Sequence, residues 1–196
     1  MLYHLVDQHF AFMYDEPPPG EWVTLDCETT GLDVRRDKII SIGAVRIVGN
    51  RLLTSERLEL LVRSERPITS ESVRVHRLRE SDVAGGLEPA QAMRRLLDFI
   101  GSRALVGYFL EFDVAMLNRE IWPMLGVRLP QPKIEVSAMY YDFKPSHLRG
   151  GDIDLRFATM MADLGLPVRH AHDAISDAVM AGLAFIKLRQ LSQGSQ

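Results

Sequence analysis

Two acids close an apolar run. In the stretch Trp22–Gly31, Trp-Val-Thr-Leu-Asp-Cys-Glu-Thr-Thr-Gly, Asp26 and Glu28 stand two positions apart. Side chains alternate along a strand, which places both acids on one face and Leu25 and Cys27 on the other. Carboxylates this close raise one another's pKa unless a cation neutralises them, and hard oxygen donors suit Mg²⁺ or Mn²⁺. Taken alone, an Asp-x-Glu reads as a solvated strand edge. Asp113, at the end of Val-Gly-Tyr-Phe-Leu-Glu-Phe-Asp, follows a second apolar run and stands where an N-cap begins a helix. Asp177 falls in the first turns of a further helix among Ala174, Ile175, Ala178 and Leu183, where an acid costs more than on a wet face. His172 lies five residues before it. Taken alone, a histidine here reads as an N-terminal cap or a surface residue.

The elements that must position these groups can be read in order. Residues 1–15 place Leu2, Val6, Phe10 and Met13 at helical spacing, so a short helix offers its apolar face either to the domain or to a partner chain. Pro17, Pro18, Pro19 and Gly20 end it and lead into the strand that carries the acid pair. Ile39–Val48 is rich in β-branched residues, Gly49-Asn50 signals a hairpin, and Leu58, Leu60 and Val62 alternate, which predicts an antiparallel meander of three strands. Helices are expected over 68–76, 88–100 with Gly101 as its stop, 114–125 with Asp113 as N-cap, 155–164 and 174–191. Short strands are expected at 104–106 and 134–137. Three antiparallel strands followed by alternating helix and strand indicate a mixed α/β sheet covered by helices.

Composition narrows the class of protein. With 196 residues, 46% apolar and 25% charged, the chain fits one ordinary globular domain. It carries no apolar run long enough for a membrane helix and no N-terminal signal pattern, so a cytoplasmic location is expected. The single cysteine, Cys27, excludes an intrachain disulfide and a cysteine metal cluster. A net charge of −3 argues against coating nucleic acid by bulk electrostatics, so any basic attraction must be local. Arg35, Arg36 and Lys38, beside the acid pair, are candidates to hold a phosphate backbone, or are solvated charges of a polar turn.

Asp26-x-Glu28-Thr-Thr-Gly, Phe112-Asp113 and His172-x4-Asp177-Ala, in this order and spacing, resemble the motifs of the DnaQ-like exonucleases of the DEDDh type. The resemblance spans roughly residues 22–190. It implies a ribonuclease H-like α/β fold, with a five-stranded mixed sheet of three antiparallel and then parallel strands flanked by helices. Residues 1–20 form an appendage, 21–191 the exonuclease domain and 192–196 a tail. The family's activity would be 3′-to-5′ hydrolysis at single-stranded ends of DNA or RNA, releasing nucleoside 5′-monophosphates. Asp26, Glu28, Asp113 and Asp177 would hold two Mg²⁺ or Mn²⁺ ions and His172 would serve as general base, with His170 a substrate neighbour. The main chain around Glu28 to Thr30, with Thr29 and Thr30 as substrate-binding residues, would meet the terminal sugar, Leu32 would wedge against a base, and Phe109 would offer a stacking surface. Two departures stand out: Tyr108-Phe109 where many relatives have His-Asn, and Glu135–Ser137 where many have Asp-Thr. A catalytically silent module that binds a polymerase or other nucleic-acid enzyme is the alternative, and intact acids weigh against it.

Overall fold

A computed structural model describes residues 4–145, 153–168 and 173–193. Its centre is a five-stranded sheet in the order β3-β2-β1-β4-β5. Strand β1 (Glu21–Thr29) pairs antiparallel with β2 (Ile39–Val48), which turns at Gly49 into β3 (Arg51–Leu61). Gly49 has a φ of 59°, the left-handed conformation that a tight hairpin requires and glycine adopts without strain. Strands β4 (Ala104–Gly107) and β5 (Lys133–Glu135) then add in parallel on the other side of β1. The expected mixed sheet is thus the observed one, with the acid-bearing strand at its middle.

Among the described residues seven α-helices accompany the sheet: α1 (Ser70–His76), α2 (Glu80–Val83), α3 (Pro89–Ile100), α4 (Leu110–Leu125), α5 (Val136–Phe143), α6 (Phe157–Asp163) and α7 (Ala174–Gln193). Val23, Leu25 and Cys27 on one face of β1 pack with α3 and α4, through Leu96, Leu97, Ile100, Leu117 and Ile121. The opposite face meets α7 at unusually short range. A Cβ on Gly43, the β2 residue paired with Asp26, would land against the backbone of Ala174 and Ile175. Farther along the helix, Gly182 leaves room for Thr24, and the buried Thr24 hydroxyl donates to the Ala178 carbonyl at 2.7 Å. These small and polar residues draw the first turns of α7 onto the strand that carries the acid pair.

Four expectations about elements need correction. The N-terminal segment is a 3-10 helix over Gln8–Tyr14 rather than an α-helix over 1–15; so short a segment gains little from α-helical cooperativity. Leu5, Phe10 and Met13 are buried in the domain's own core while Val6 is 75% exposed, so the apolar face already has an occupant. Helix α4 begins at Leu110, four residues before the expected start, and Asp113 sits inside its first turns rather than at the N-cap. The fifth strand stops at Glu135, and α5, which β-branched Val136 had disguised as strand, starts at once. The short α2 was also not anticipated. Among the described residues no helix is long and apolar enough to cross a membrane.

Candidate active site

Carboxylate oxygens of Asp26, Glu28 and Asp177 lie within 4.8 Å of one another, at the floor of a cleft of about 590 Å³. The strand supplies two of them by alternation and the first turns of α7 supply the third. Asp113 lines the same cleft but is almost fully buried, and its Oδ1 accepts a 3.0 Å hydrogen bond from the Cys27 amide. That bond fixes α4 against β1 beside the acid pair. His172 and His170 lie outside the described residues. His172 stands one residue before Asp173, whose Oδ1 accepts the Ser176 amide at 2.9 Å and caps α7.

Electrostatics set this cluster apart from the rest of the surface. Burial first, then the charges of Asp113, Glu28, Asp177 and Asp173, hold Asp26 well above the usual carboxylate range. Burial together with Asp177 and Asp173 pushes Glu28 up to about 7. Asp113 rises to about 8, burial outweighing the hydrogen bond from Cys27 that favours its charged form. Among the described residues the charges that raise Asp26 and Glu28 are all carboxylates, and each makes ionisation of the others more costly. An all-oxygen, half-buried donor set is the chemistry that hard divalent cations fit.

The expected substrate contacts fall into two groups. Thr29, Leu32 and Phe109 line the cleft, with Leu32 85% and Phe109 64% exposed. Thr30 is fully buried: its hydroxyl donates to Asp37 Oδ1 and accepts the Lys38 amide, its own amide donates to the Lys38 carbonyl, and its carbonyl accepts Ser72 Oγ. Its groups therefore hold the turn after β1 in shape. Tyr108 stacks at 4.5 Å on Phe109 and at 4.6 Å on Phe157, and donates to the Leu155 carbonyl. The residues that replace His-Asn thus join the cleft wall to α6.

Glu135 has a role that sequence reasoning missed. Its Oε1 accepts from the Phe109 amide at 3.2 Å, the Ser137 amide at 3.1 Å and Ser137 Oγ at 2.7 Å, while Oε2 accepts the Leu110 amide at 2.9 Å. One carboxylate therefore caps two helices, α4 and α5. Phe109 adopts a left-handed φ of 54°, which costs a non-glycine residue on the order of 1 kcal/mol, and Glu135 grips its amide. The i to i+2 spacing of Glu135 and Ser137 hints at the local cap; the contact to Phe109 and Leu110 is long-range and leaves no local signature.

Comparison with known proteins agrees with this geometry. The family model RNase_T, described as exonuclease, matches residues 23–185. Among curated proteins, the chain is 28% identical over 171 residues to the PolC-type DNA polymerase III of Thermotoga maritima, covering 87% of this chain and 12% of the polymerase. It is 23% identical over 176 residues to the DNA polymerase III subunit epsilon of Aquifex aeolicus, covering 90% of this chain and 84% of the subunit. The fold matches exonuclease X in complex with 5′ overhanging duplex DNA, with a TM-score of 0.69 at 21% identity over 88% of this chain and 93% of that one. It also matches E. coli exonuclease I in a single-stranded DNA complex, with a TM-score of 0.72 at 16% identity over 90% and 42% of the two chains. On the family match, the ribonuclease H-like fold and the clustered acids, the chain belongs to the RNase_T exonuclease family, hydrolytic, metal-dependent nucleases of the DnaQ-like type.

Proposed function

We propose that this protein removes nucleotides one at a time from single-stranded 3′ ends of DNA or RNA, as nucleoside 5′-monophosphates, with two Mg²⁺ or Mn²⁺ ions. The observation that carries this reading is the convergence of Asp26, Glu28 and Asp177 within 4.8 Å, with Asp113 beside them. Those four carboxylates would hold the ions. When bound, divalent cations neutralise the phosphate, acidify the attacking water and stabilise the leaving oxygen.

The chain's own residues do the remainder. Asp113 is oriented by the Cys27 amide and by the α4 start that Glu135 caps, so its carboxylate has a fixed direction. Leu32 and Phe109 present exposed apolar surface on the cleft, suited to the faces of bases and sugars rather than to their hydrogen-bonding edges. Such contacts tolerate every base, as stepwise degradation requires. Main chain near Glu28 and Thr29 borders the same space and suits the terminal sugar. His172, five residues before Asp177 in the sequence, takes the proton of the attacking water, a task suited to a side chain that titrates near neutral pH.

The test is hydrolysis of a 5′-labelled single-stranded oligonucleotide with Mn²⁺. A ladder shortening from the 3′ end with mononucleotide release is expected, and chelator abolishes it. Cleavage of a circular or 3′-blocked strand would instead mark an endonuclease, and an intact label under all metals would overturn the activity.

A further inference from the structure

The cleft does not end at the acids. Glu111, on its rim, also opens a second groove, of about 820 Å³, which runs along the outer face of α4. Ala115, Asn118 and Trp122 continue that face at helical spacing. Trp122 lies eleven positions beyond Glu111, about 16 Å at 1.5 Å per residue. It is 55% exposed, with the Arg128 guanidinium 6.0 Å from its ring centre.

The groove is also where the chain gathers cations. Its lining has Arg35, Arg119, Arg128 and Lys133 against the single carboxylate of Glu111, in a protein whose net charge is −3. Of the three cations flanking the acid pair in sequence, Arg36 pairs with Asp33 and Lys38 with Glu120, whereas Arg35 faces this groove. Two of the four are held by neutral carbonyls. Arg119 donates to the Val34 carbonyl, with Glu120 a further 3.4 Å contact, and Lys133 donates to the carbonyls of Leu129 and Gln131. Carbonyl anchoring fixes Lys133 in place without cancelling its charge, while Glu120 offsets part of the charge of Arg119.

We propose that this groove carries the upstream part of a single-stranded nucleic acid whose 3′ end lies in the cleft, with a base stacked on Trp122 and phosphates along Arg35 and Arg128. The proposal rests on the exonuclease reading above and adds the path of the strand. A protein partner would also accept an exposed tryptophan. The rim that the groove shares with the acid cleft at Glu111 and the four cations against one carboxylate favour a polyanion instead.

Trp122 gives a readout that needs no catalysis. The chain has two tryptophans, and Trp22 is packed edge-on against Phe185 at 5.3 Å and covered by Arg189. In chelator, which stops hydrolysis, a long oligothymidylate is expected to quench the fluorescence of the parent. Trp122→Phe removes the quenching and keeps the affinity, whereas Trp122→Ala weakens binding about 10-fold, the scale of one stacked base. The same Trp122→Ala change lowers the kcat/KM ratio of the long strand over a dinucleotide by a similar factor. Arg128→Ala makes the slope of log affinity against log salt shallower by about 0.7. Hydrolysis with no quenching and an unaltered length ratio overturns the groove while leaving the activity standing, and consigns the Trp122 face to a protein partner. Quenching without hydrolysis under any metal supports the strand path and overturns the exonuclease reading.

Discussion

The two faces of β1 differ in chemistry along the same nine residues. On one face Val23, Leu25 and Cys27 are sealed under α3 and α4 and make ordinary core contacts. On the other, the series runs from Trp22, packed on α7, through Thr24, hydrogen-bonded to Ala178, to Asp26 and Glu28 in the open cleft. Burial stabilises the first face. The second becomes less stabilising toward the strand's C-terminal end, because each step exchanges apolar contact for a polar or ionised group. Function and stability are thereby divided between odd and even positions of one strand, and substitutions at neighbours should separate them.

The largest effect is expected from that pair of neighbours. Asp26→Asn removes a charged ligand at nearly constant volume and should lower turnover by about 10²-fold or more, with the fold kept. Leu25→Ala opens a cavity under α3 and α4 and should cost about 2 to 5 kcal/mol, while kcat per folded molecule stays near the parent. Denaturant titration beside single-turnover hydrolysis measures both. Equal losses of turnover in the two variants would abolish the division of faces.

Next in size is the base. His172→Ala should lower kcat by about 10²-fold with metal binding largely retained, and His170→Ala should act mainly on KM. A pH–rate profile that keeps its near-neutral ionisation in the His172 variant and loses it in the His170 variant would exchange the two roles.

Glu135 extends the comparison to residues that act through the site face without touching substrate. Glu135→Ala frees the amides of Phe109 and Leu110 and should cost about 1 to 2 kcal/mol, as loss of a helix cap does. Since α4 carries Asp113, turnover should also fall about 10-fold, with weaker Mn²⁺ binding. Glu135→Gln, which keeps an acceptor, should recover part of both. Loss of stability with unchanged Mn²⁺ affinity would reduce Glu135 to a cap alone.

These cases also show what the residue order made legible. Alternation placed Asp26 and Glu28 on one face correctly, because strand periodicity is local and the pair needs no distant partner. Asp113 and Asp177 were identified by motif, and helix periodicity gave their elements, but the start of α4 was misplaced. Its cap comes from Glu135, twenty-five residues from Leu110, so no local signal marks it. Val136 and Ser137 read as strand because β-branched Val136 outweighs the local hint of a cap in the spacing of Glu135 and Ser137. Gly43 gave no hint of its importance; only the passage of Ala174 over it shows why a side chain there would push α7 from the acids. Thr30 is expected at the substrate, whereas its hydrogen-bond partners are Asp37 and Lys38 of the following turn and Ser72 of α1.

The smallest effect tests whether the acid face destabilises the metal-free protein. Asp26, Glu28 and Asp113 all have carboxyls raised in the folded state, Glu28 to about 7 and Asp113 to about 8, against ordinary values of 4.5 and 3.8. A raised acid binds its proton more tightly folded than unfolded, so its contribution to stability is complete below the unfolded pKa and is lost as pH rises through the folded one. In chelator, the melting temperature should therefore fall by a few degrees between about pH 5 and about pH 8. His76 works in the opposite direction: burial lowers its pKa, so its share of stability is lost as pH falls. Asp7, Asp154 and Asp163 are lowered and matter only at more acid pH. Comparing Asp26→Asn with the parent cancels these background groups. The variant should melt higher than the parent at about pH 8, the two should converge near pH 5, and Mn²⁺ should raise the parent's melting point more at the higher pH. A parent that melts above Asp26→Asn at the higher pH without metal would mean that the acids are compensated in the fold, and the contrast between the faces of β1 would then be one of exposure and not of charge.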